Sequence, residues 1–269
     1  MKKNKALFLL INFFIFILIH HVLAAEEINK KSQSELIKKY DLKKILTSTD
    51  DFYRGKTSIS ECSMSLKTKY YERTLKFKVW SKGMENTLIR ILEPAKDKGI
   101  STLKRDKNIW NYLPKVKKTV KLPPSMMMKD WMGSHFTNDD LVKESTFFDD
   151  YTSSIKEVKI DEKKRTIVVI ESIPKKTAAV VWGKVVIEIW DDDGKYIPLK
   201  QEYYDEHGKA IRRITFSDIK KMGGRDMPTV MKLVPLDKPD EYTQMTYTHF
   251  EFDVPIDDNV FSLGYLEGK

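Results

Sequence analysis

The stretch "KVVIEIWDDDGKYIPLKQEYYDEHGKAIRRITFSDI", Lys184–Ile219, contains three runs of alternating apolar and polar residues. Alternation with a period of two is typical of strands that bury one face. The sequences between the runs, DDDGK and DEHGK, have the acidic residues and the glycine that tight hairpin turns favour. This stretch therefore predicts consecutive antiparallel strands joined by short turns.

The same pattern extends through most of the chain. Cys62, Met64 and Leu66 alternate with polar residues, and further β-rich runs are LKFKVW, ENTLIRILEP, KNIWNYLPK, RTIVVIESI, TVMKLVPL and YTQMTYTHFEFDV. About ten strands in meander order predict one large antiparallel sheet that is curled on itself. No internal repeat or linker interrupts the pattern, so one domain is predicted.

Two helical segments are predicted outside the strands. Ser32 and Glu35 have capping-box spacing, and apolar residues from Leu36 to Ile45 recur at near-helical intervals. They predict one amphipathic N-terminal helix. A short helix is predicted near NDDLVKEST, with Asn138–Asp140 as its cap.

The N-terminus has the pattern of a bacterial secretory signal. Three lysines precede the apolar run Ala6–Ile19, which has the length of a signal-peptide core and is short for a membrane span. Cleavage is predicted after about Ala24 or Ala25, which gives a signal peptide over residues 1–25. Residues 26–269 then form a single exported domain. An uncleaved membrane anchor is the alternative.

Charge and cysteine content exclude further classes of protein. The formal net charge of the 269 residues is +9, and it is +6 once the three lysines of the predicted signal are removed. Because basic residues alternate with acidic ones, no nucleic-acid surface is predicted. Cys62 is the single cysteine, so an internal disulfide is excluded and a small buried side chain is expected.

No catalytic group, metal site or cofactor site is predicted. RGKTS at Arg54–Ser58 lacks the first glycine of a phosphate-binding loop, because Asp50 stands there. Asp191, Asp193 and Glu202 have calcium-loop offsets, but the segment alternates like a strand, so a hairpin turn is expected. The three histidines after the predicted signal are not spaced as zinc ligands, and no G-x-S-x-G motif occurs.

Four segments resemble the outer-membrane lipoprotein-sorting family related to LolA and LolB. They are LIRILEPAKDKG (Leu88–Gly99), IWNYLPKVKK (Ile109–Lys118), PPSMMMKDWMGSHFTNDDLVKES (Pro123–Ser145) and VPIDDNVFSLGYL (Val254–Leu266). The resemblance covers about residues 51–264. It implies a mainly β fold with α, an incomplete antiparallel β-barrel with helices covering its open mouth and a hydrophobic cavity beneath them.

The resemblance also implies a soluble periplasmic carrier without enzymatic activity, and we expect it to be a monomer. Such a carrier shelters the acyl chains of lipoproteins, receives them from an inner-membrane transporter complex and moves them towards an acceptor in the outer membrane. No residue matches the lid arginine of LolA, so the cargo stays open between lipoproteins and related lipids. Two other functions stay open. One is an accessory of a lipid- or drug-exporting transporter that binds a sterol or free fatty acid, and the other is a secreted hydrolase.

The methionine-rich part of the third segment is the predicted ligand-binding region. Methionine side chains are unbranched and polarizable, so they fit irregular apolar ligands. With the cavity that the resemblance implies, they predict a pliable wall or flap, whose bending Gly133 and the Pro123–Pro124 pair limit. The alternative is that these side chains are ordinary core. The predicted ligand-binding residues are Met126, Met127, Met128, Trp131, Met132 and Phe136, together with Trp80, Trp110 and Tyr112 of the strands.

Overall fold

The computed structural model describes residues 32–143, 150–178 and 180–269. The predicted signal peptide lies outside the described residues. The α-helices in these ranges are α1 (32–37), α2 (Leu42–Asp50), α3 (Asn138–Lys143) and α4 (Leu263–Leu266). The strands are β1 Thr57–Lys67, β2 Glu72–Lys82, β3 Asn86–Glu93, β4 Ser101–Arg105, β5 Asn108–Leu113, β6 Lys118–Lys121, β7 Tyr151–Ile160, β8 Thr166–Pro174, β9 Lys184–Asp192, β10 Lys195–Tyr204, β11 Ala210–Met222, β12 Arg225–Pro235 and β13 Tyr242–Phe252.

All thirteen strands belong to one antiparallel sheet in the order β6-β5-β4-β3-β2-β1-β13-β12-β11-β10-β9-β8-β7. The sheet therefore consists of two meanders, β1–β6 and β7–β13, which are joined where β1 pairs with β13. The edge strands β6 and β7 do not pair with each other, so the curled sheet stays open. The predicted fold class, an incomplete antiparallel β-barrel, is confirmed.

The sheet has thirteen strands where about ten were predicted from the sequence. The strands that the alternation did not identify are β4, β6 and β7. Strands β4 and β6 have five and four residues, which is too short for a clear period of two. Strand β7, YTSSIKEVKI, is an edge strand whose exposed positions make it mostly polar.

Alternation places successive side chains of each strand on opposite faces of the sheet. In β1 the side chains alternate between buried and half-buried along the whole strand. Ile89 packs in a cluster with Phe77 and Trp131, whereas its neighbour Leu88 packs with Leu103 in a separate cluster. We call the face that carries Phe77 and Ile89 the inner face, and the opposite one the outer face.

The predicted N-terminal helix is divided into two. Helix α1 ends at residue 37, and α2 begins at Leu42. The carboxylate of Asp41 accepts a hydrogen bond from the backbone N–H of Lys44 at 3.1 Å, so Asp41 caps the start of a new helix. Helix α2 packs Ile45 and Leu46 onto the inner face of the second meander.

The connection from β6 to β7 crosses the sheet from one edge to the other. We call its described residues 122–143 the covering segment. It folds back on itself through an isolated bridge between Asp130 and Thr137, and it ends in α3. Thr137 and Asp140 form a reciprocal capping box at the start of α3, so the cap is Thr137 and not Asn138.

The C-terminal residues cover the outer face of the first meander. Phe261 and Leu266, which are 4% and 1% exposed, pack against Leu88 and Leu103. Leu263 lies in the same short helix as Leu266 but points to solvent with 41% of its surface exposed. The chain end therefore buries the outer side of the strands whose inner side faces the covering segment.

We predict that Leu266→Ala lowers the free energy of unfolding by about 2–5 kcal/mol, because it leaves a cavity in a packed cluster. Leu263→Ala is the matched control, and it should cost less than about 1 kcal/mol because the side chain is largely exposed. Chemical denaturation of the two variants measures both values. Equal losses would show that the C-terminal cluster does not support the sheet.

Candidate functional site

A cavity with two lobes lies on the inner face, between the sheet and the elements that cover it. Lobe A has a volume of about 190 Å³, and lobe B has a volume of about 160 Å³. Ligand cavities usually measure roughly 300–1,000 Å³, so the two lobes together reach the lower end of that range. The residues that line both lobes are Tyr53, Arg54, Phe136, Asp140, Met231 and Tyr247.

Both lobes have mainly apolar walls. Lobe A lies under α2, and its wall includes Leu46 of the helix, Ile187 of β9 and Phe216 of β11. Lobe B lies over the first meander, and its wall includes Phe77 of β2 and Met245 of β13. The inner face of the sheet is therefore not filled by its own side chains where the two meanders meet.

Tyr53 stands at the junction of the lobes. Its ring stacks on Phe216 with 6.2 Å between centroids and on Tyr247 with 5.4 Å. Its hydroxyl donates a hydrogen bond to the carbonyl of Pro228 at 3.1 Å, and burial raises the pKa of Tyr53 well above its ordinary value. The junction is therefore a stack of three aromatic rings, and the hydrogen bond of the Tyr53 hydroxyl fixes the position of the central ring.

Trp131 anchors the covering segment to the first meander. Its indole meets the ring of Phe77 edge-on at 5.9 Å, and its Nε1–H donates a hydrogen bond to the hydroxyl of Thr102 at 3.2 Å. The side chain is 3% exposed. An aromatic ring that is buried on both sides and satisfied at its polar atom fixes the segment over lobe B.

A second set of contacts holds the segment at one end of the strands. The ring of His135 lies 2.8 Å from the hydroxyl of Thr243 through Nδ1 and 3.2 Å from the carboxylate of Glu241 through Nε2. The hydroxyl of Tyr71 donates a hydrogen bond to the carbonyl of Gly133 at 3.0 Å. These contacts attach the segment to the turns that precede β2 and β13.

A buried ion pair ties α3 to the second meander. The guanidinium of Arg212 on β11 binds the carboxylate of Asp140 with two parallel hydrogen bonds of 2.8 and 2.6 Å. The side chains are 6% and 18% exposed, respectively. Paired geometry of this kind compensates for much of the cost of burying two charges.

Aromatic rings complete the environment of Arg212. Its guanidinium lies 4.4 Å from the ring centroid of Trp182 and 4.3 Å from that of Tyr203. Burial acts to raise the pKa of Asp140, but hydrogen bonds and charge from Arg212, with hydrogen bonds from Thr137, lower it below its ordinary value. The carboxylate is therefore ionised and paired in the folded protein at neutral pH.

The comparisons with known proteins agree with this geometry. A family model whose description reads "Uncharacterized protein" matches residues 83–268, which is more than half of the chain. The chain belongs to this family. Its fold is the LolA-like fold, which confirms the resemblance found in the sequence. A comparison with curated protein sequences gives no significant match.

Three solved structures share the LolA-like fold over most of their length. A DUF1329 family protein from Desulfovibrio piger has a TM-score of 0.73 and 22% identity, and the alignment covers 82% of this chain and 96% of that one. A LolA superfamily protein from Nitrosomonas europaea has a TM-score of 0.67 and 19% identity, with 84% and 99% covered. A putative outer-membrane lipoprotein-sorting protein domain from Vibrio parahaemolyticus has a TM-score of 0.67 and 21% identity, with 84% and 96% covered.

The structure places the predicted residues of the covering segment in two groups. Trp131 lines lobe B, and Phe136 lines both lobes. Met132 packs beneath the segment in the same cluster as Trp131. The other three methionines lie away from both lobes: Met127 is half-buried, while Met126 and Met128 are 40% and 46% exposed.

Trp80, Trp110 and Tyr112 were predicted as cavity residues, but the structure places them on the outer face. They pack against the cluster of Leu88, Leu103, Phe261 and Leu266, and they line neither lobe. The register explains the difference, because Trp80, Leu88, Leu103 and Trp110 lie directly opposite one another on adjacent strands. A sequence with apolar residues on both faces of a strand does not say which face points inward.

Several wall residues were not identified from the sequence. Met231, Met245 and Tyr247 lie in strands β12 and β13, where they occupy ordinary alternating positions. Arg212 lies in the run AIRRITF, whose two arginines are typical of an exposed strand. Its burial depends on the contact with Asp140, which is distant in the chain. The adjacent pair Arg212 and Arg213 could have indicated a buried arginine, because successive side chains of a strand point to opposite faces and one of the two must point inward.

The described residues offer little reactive chemistry at this site. Burial raises the pKa of the Cys62 thiol, and the charge of Glu61 raises it further, so the thiol stays protonated and is a poor nucleophile. Among residues 32–143, 150–178 and 180–269, no group of three or more His, Cys, Asp or Glu side chains is arranged to hold a metal ion. None of the helices described in those ranges is both long and apolar enough to cross a membrane.

We predict that Arg212→Met lowers the free energy of unfolding at pH 7 by about 3–5 kcal/mol, because it leaves the buried Asp140 carboxylate unpaired. Arg213→Met is the matched control. The neighbouring Arg213 pairs with Glu202 but is 44% exposed, so its loss should cost less than about 1 kcal/mol. Urea denaturation at pH 7 measures both values.

The difference between wild type and Arg212→Met should narrow on acidification. In the wild type the pKa of Asp140 is lower in the folded than in the unfolded state, so the stabilisation is present at neutral pH and is lost as the pH falls through the folded value. In the variant, burial without a cation raises the pKa instead, so protonation towards ~pH 4 relieves the unpaired charge. A difference that is constant from pH 7 to ~pH 4 would contradict the ion-pair interpretation.

Proposed function

We propose that this protein is a soluble periplasmic carrier that shelters acyl chains of lipoproteins or related lipids and moves them from the inner towards the outer membrane. In this proposal residues 1–25 are a cleaved signal peptide, and residues 26–269 form one carrier domain that acts as a monomer. An inner-membrane transporter complex supplies the lipid, and an outer-membrane acceptor receives it.

The two-lobed apolar cavity is the observation that carries the proposal. Each buried methylene of an acyl chain gains about 0.8 kcal/mol, so a lipid with a long chain needs an apolar host to cross water. Lobes A and B share six wall residues and so lie side by side, and in this proposal an extended chain occupies both. The names of two structural neighbours, a LolA superfamily protein and a lipoprotein-sorting protein domain, agree with such a role.

The wall of the cavity suits a ligand that must be released again. Met231 at the junction and Met245 in lobe B have flexible, polarizable side chains that can adapt to a ligand. Many weak apolar contacts can bind an acyl chain without fixing it in one position. We propose that the protein has no enzymatic activity and works by binding and release alone.

A second candidate is an accessory of a lipid- or drug-exporting transporter that binds another apolar ligand, such as a sterol or free fatty acid. The observation that favours it is the polar end of lobe B, where Ser58, Ser81, Thr87 and Lys104 line the wall. A single polar group at the end of one apolar chain or ring system would match this wall.

We predict that Met231→Trp weakens binding of a fluorescent acyl probe by at least about tenfold, because the indole fills the junction of the lobes. The fold should be kept, with a stability change within about 1–3 kcal/mol. Ile160→Trp, at a position with 64% of its surface exposed, is the control and should bind the probe as the wild type does. Probe titration and thermal unfolding measure the two properties, and unchanged binding in a folded Met231→Trp protein would refute the cavity as the ligand site.

We propose that Met126, Met127 and Met128 form the outer surface of a flap that the acyl chain contacts while it enters. The double substitution Met126→Ser and Met128→Ser should slow probe uptake severalfold, because it removes apolar contacts along the entry path, and should leave the equilibrium affinity unchanged. Val116→Ser, at an exposed turn between β5 and β6, is the control. Stopped-flow mixing measures the rates, and an unchanged uptake rate would exclude a role for these methionines in entry.

A further inference from the structure

The inner face of the first meander carries a row of polar side chains that runs across four strands. Ser58 of β1 lies opposite Ser81 of β2, Ser81 lies opposite Thr87 of β3, and Thr87 lies opposite Lys104 of β4. All four side chains line lobe B. We call this set the polar row.

The hydroxyls of the polar row lack partners within the described part of the chain. Ser58 is 3% exposed and Ser81 is 8% exposed, and neither hydroxyl makes a hydrogen bond there. Ser60, two residues further along β1 in the next row, is 3% exposed, and its hydroxyl also makes no hydrogen bond there. None of these oxygens is among the fully buried side-chain atoms without a partner in the described residues, so they are open to lobe B, where a polar ligand can hydrogen-bond to them.

Lys104 places a positive charge at the end of the row. The residue is 3% exposed, and its ammonium donates a hydrogen bond to the carbonyl of Met84 in the turn between β2 and β3. Lysine is almost never fully buried unless it is paired, and the Met84 carbonyl is one partner of Lys104. Here the ammonium is held in a fixed position beside the hydroxyls, where it can donate to an anionic oxygen.

Polarity falls along the strands away from the polar row. The next row across the sheet is Ser60, Val79, Ile89 and Thr102, and the one after it is Cys62, Phe77 and Ile91. Two residues of a strand span about 6.6 Å, so the fully apolar row lies roughly 13 Å from the polar row. Lobe B is thus polar at one end and apolar further in.

We propose that the polar row binds the anionic oxygens of a lipid head group, a carboxylate or a phosphate, whose acyl chain extends over the apolar rows towards lobe A. The inference rests on the proposed function of the cavity and narrows its ligand to an acyl lipid with a small acidic head. Lys104 and the hydroxyls of Ser58, Ser81 and Thr87 supply the donors. The two apolar lobes supply the chain-binding surface.

Displacement of a bound apolar fluorescent acyl probe tests the proposal with four competitors. They are palmitate, hexadecyl phosphate, methyl palmitate and inorganic phosphate, and the first three share an unbranched chain of the same length. The wild-type protein should bind palmitate and hexadecyl phosphate about tenfold more tightly than methyl palmitate, because the ester has no charge for the row. Inorganic phosphate should not displace the probe.

Variants assign the preference to the polar row. Lys104→Met should remove the preference for palmitate and leave the affinity for methyl palmitate unchanged. Lys107→Met is the matched control, because Lys107 is exposed in the turn after β4 and its loss removes the same charge outside the cavity. Thr87→Val keeps the shape of the side chain and should weaken palmitate binding about fivefold. If Lys104→Met does not fold, this variant tests the polar row in its place.

The outcomes separate this inference from the proposed function. Equal affinities of the wild type for palmitate and methyl palmitate would overturn the head-group site and leave the carrier proposal intact. Equal weakening of both ligands by Lys104→Met would do the same. Displacement by inorganic phosphate would make the row a site for free anions, and failure of every acyl ligand to bind would refute the carrier proposal itself.

Discussion

The pairing of β1 with β13 is the constraint on which the rest of the structure depends. It joins the first and last strands in the middle of the sheet, and so it moves the edges to β6 and β7, which are neighbours in the chain. The connection between these two strands must then pass from one edge of the curled sheet to the other. The covering segment crosses the inner face for this reason, and the apolar space beneath it follows from the strand order.

The covering segment is attached by a few specific contacts and not by continuous packing. Trp131 fixes one part of it, His135 another, and Asp140 the start of α3 through Arg212. Met126 and Met128, which precede the first of these points in the chain, face solvent. The ion pair specifies one position of α3 over the cavity at a modest net gain in stability.

The sequence predicted most of the fold and only part of the site, for physical reasons that particular residues illustrate. Alternation identified strands such as β1 and β9 because one face of each is buried. Alternation does not say which face of a strand points to the cavity, and Trp80 and Trp110 pack on the outer face, which the C-terminal helix also buries. Trp131 was proposed as a cavity residue from the resemblance and from the methionine-rich composition of its segment, and it lines lobe B. Arg212 was not predicted as a site residue, since its burial depends on Asp140, which is far away in the chain.

The two halves of the sheet become complete at different times during synthesis. Strand β1 is made early, and its second neighbour β13 is made near the end, so nearly the whole described chain separates Ser58 from Phe252. Until then β1 presents an unpaired edge beside an uncovered apolar surface, and both favour association with other chains. The nascent protein therefore has a built-in interval of vulnerability to aggregation. A holding chaperone that covers β1 during this interval would raise the yield of the folded protein.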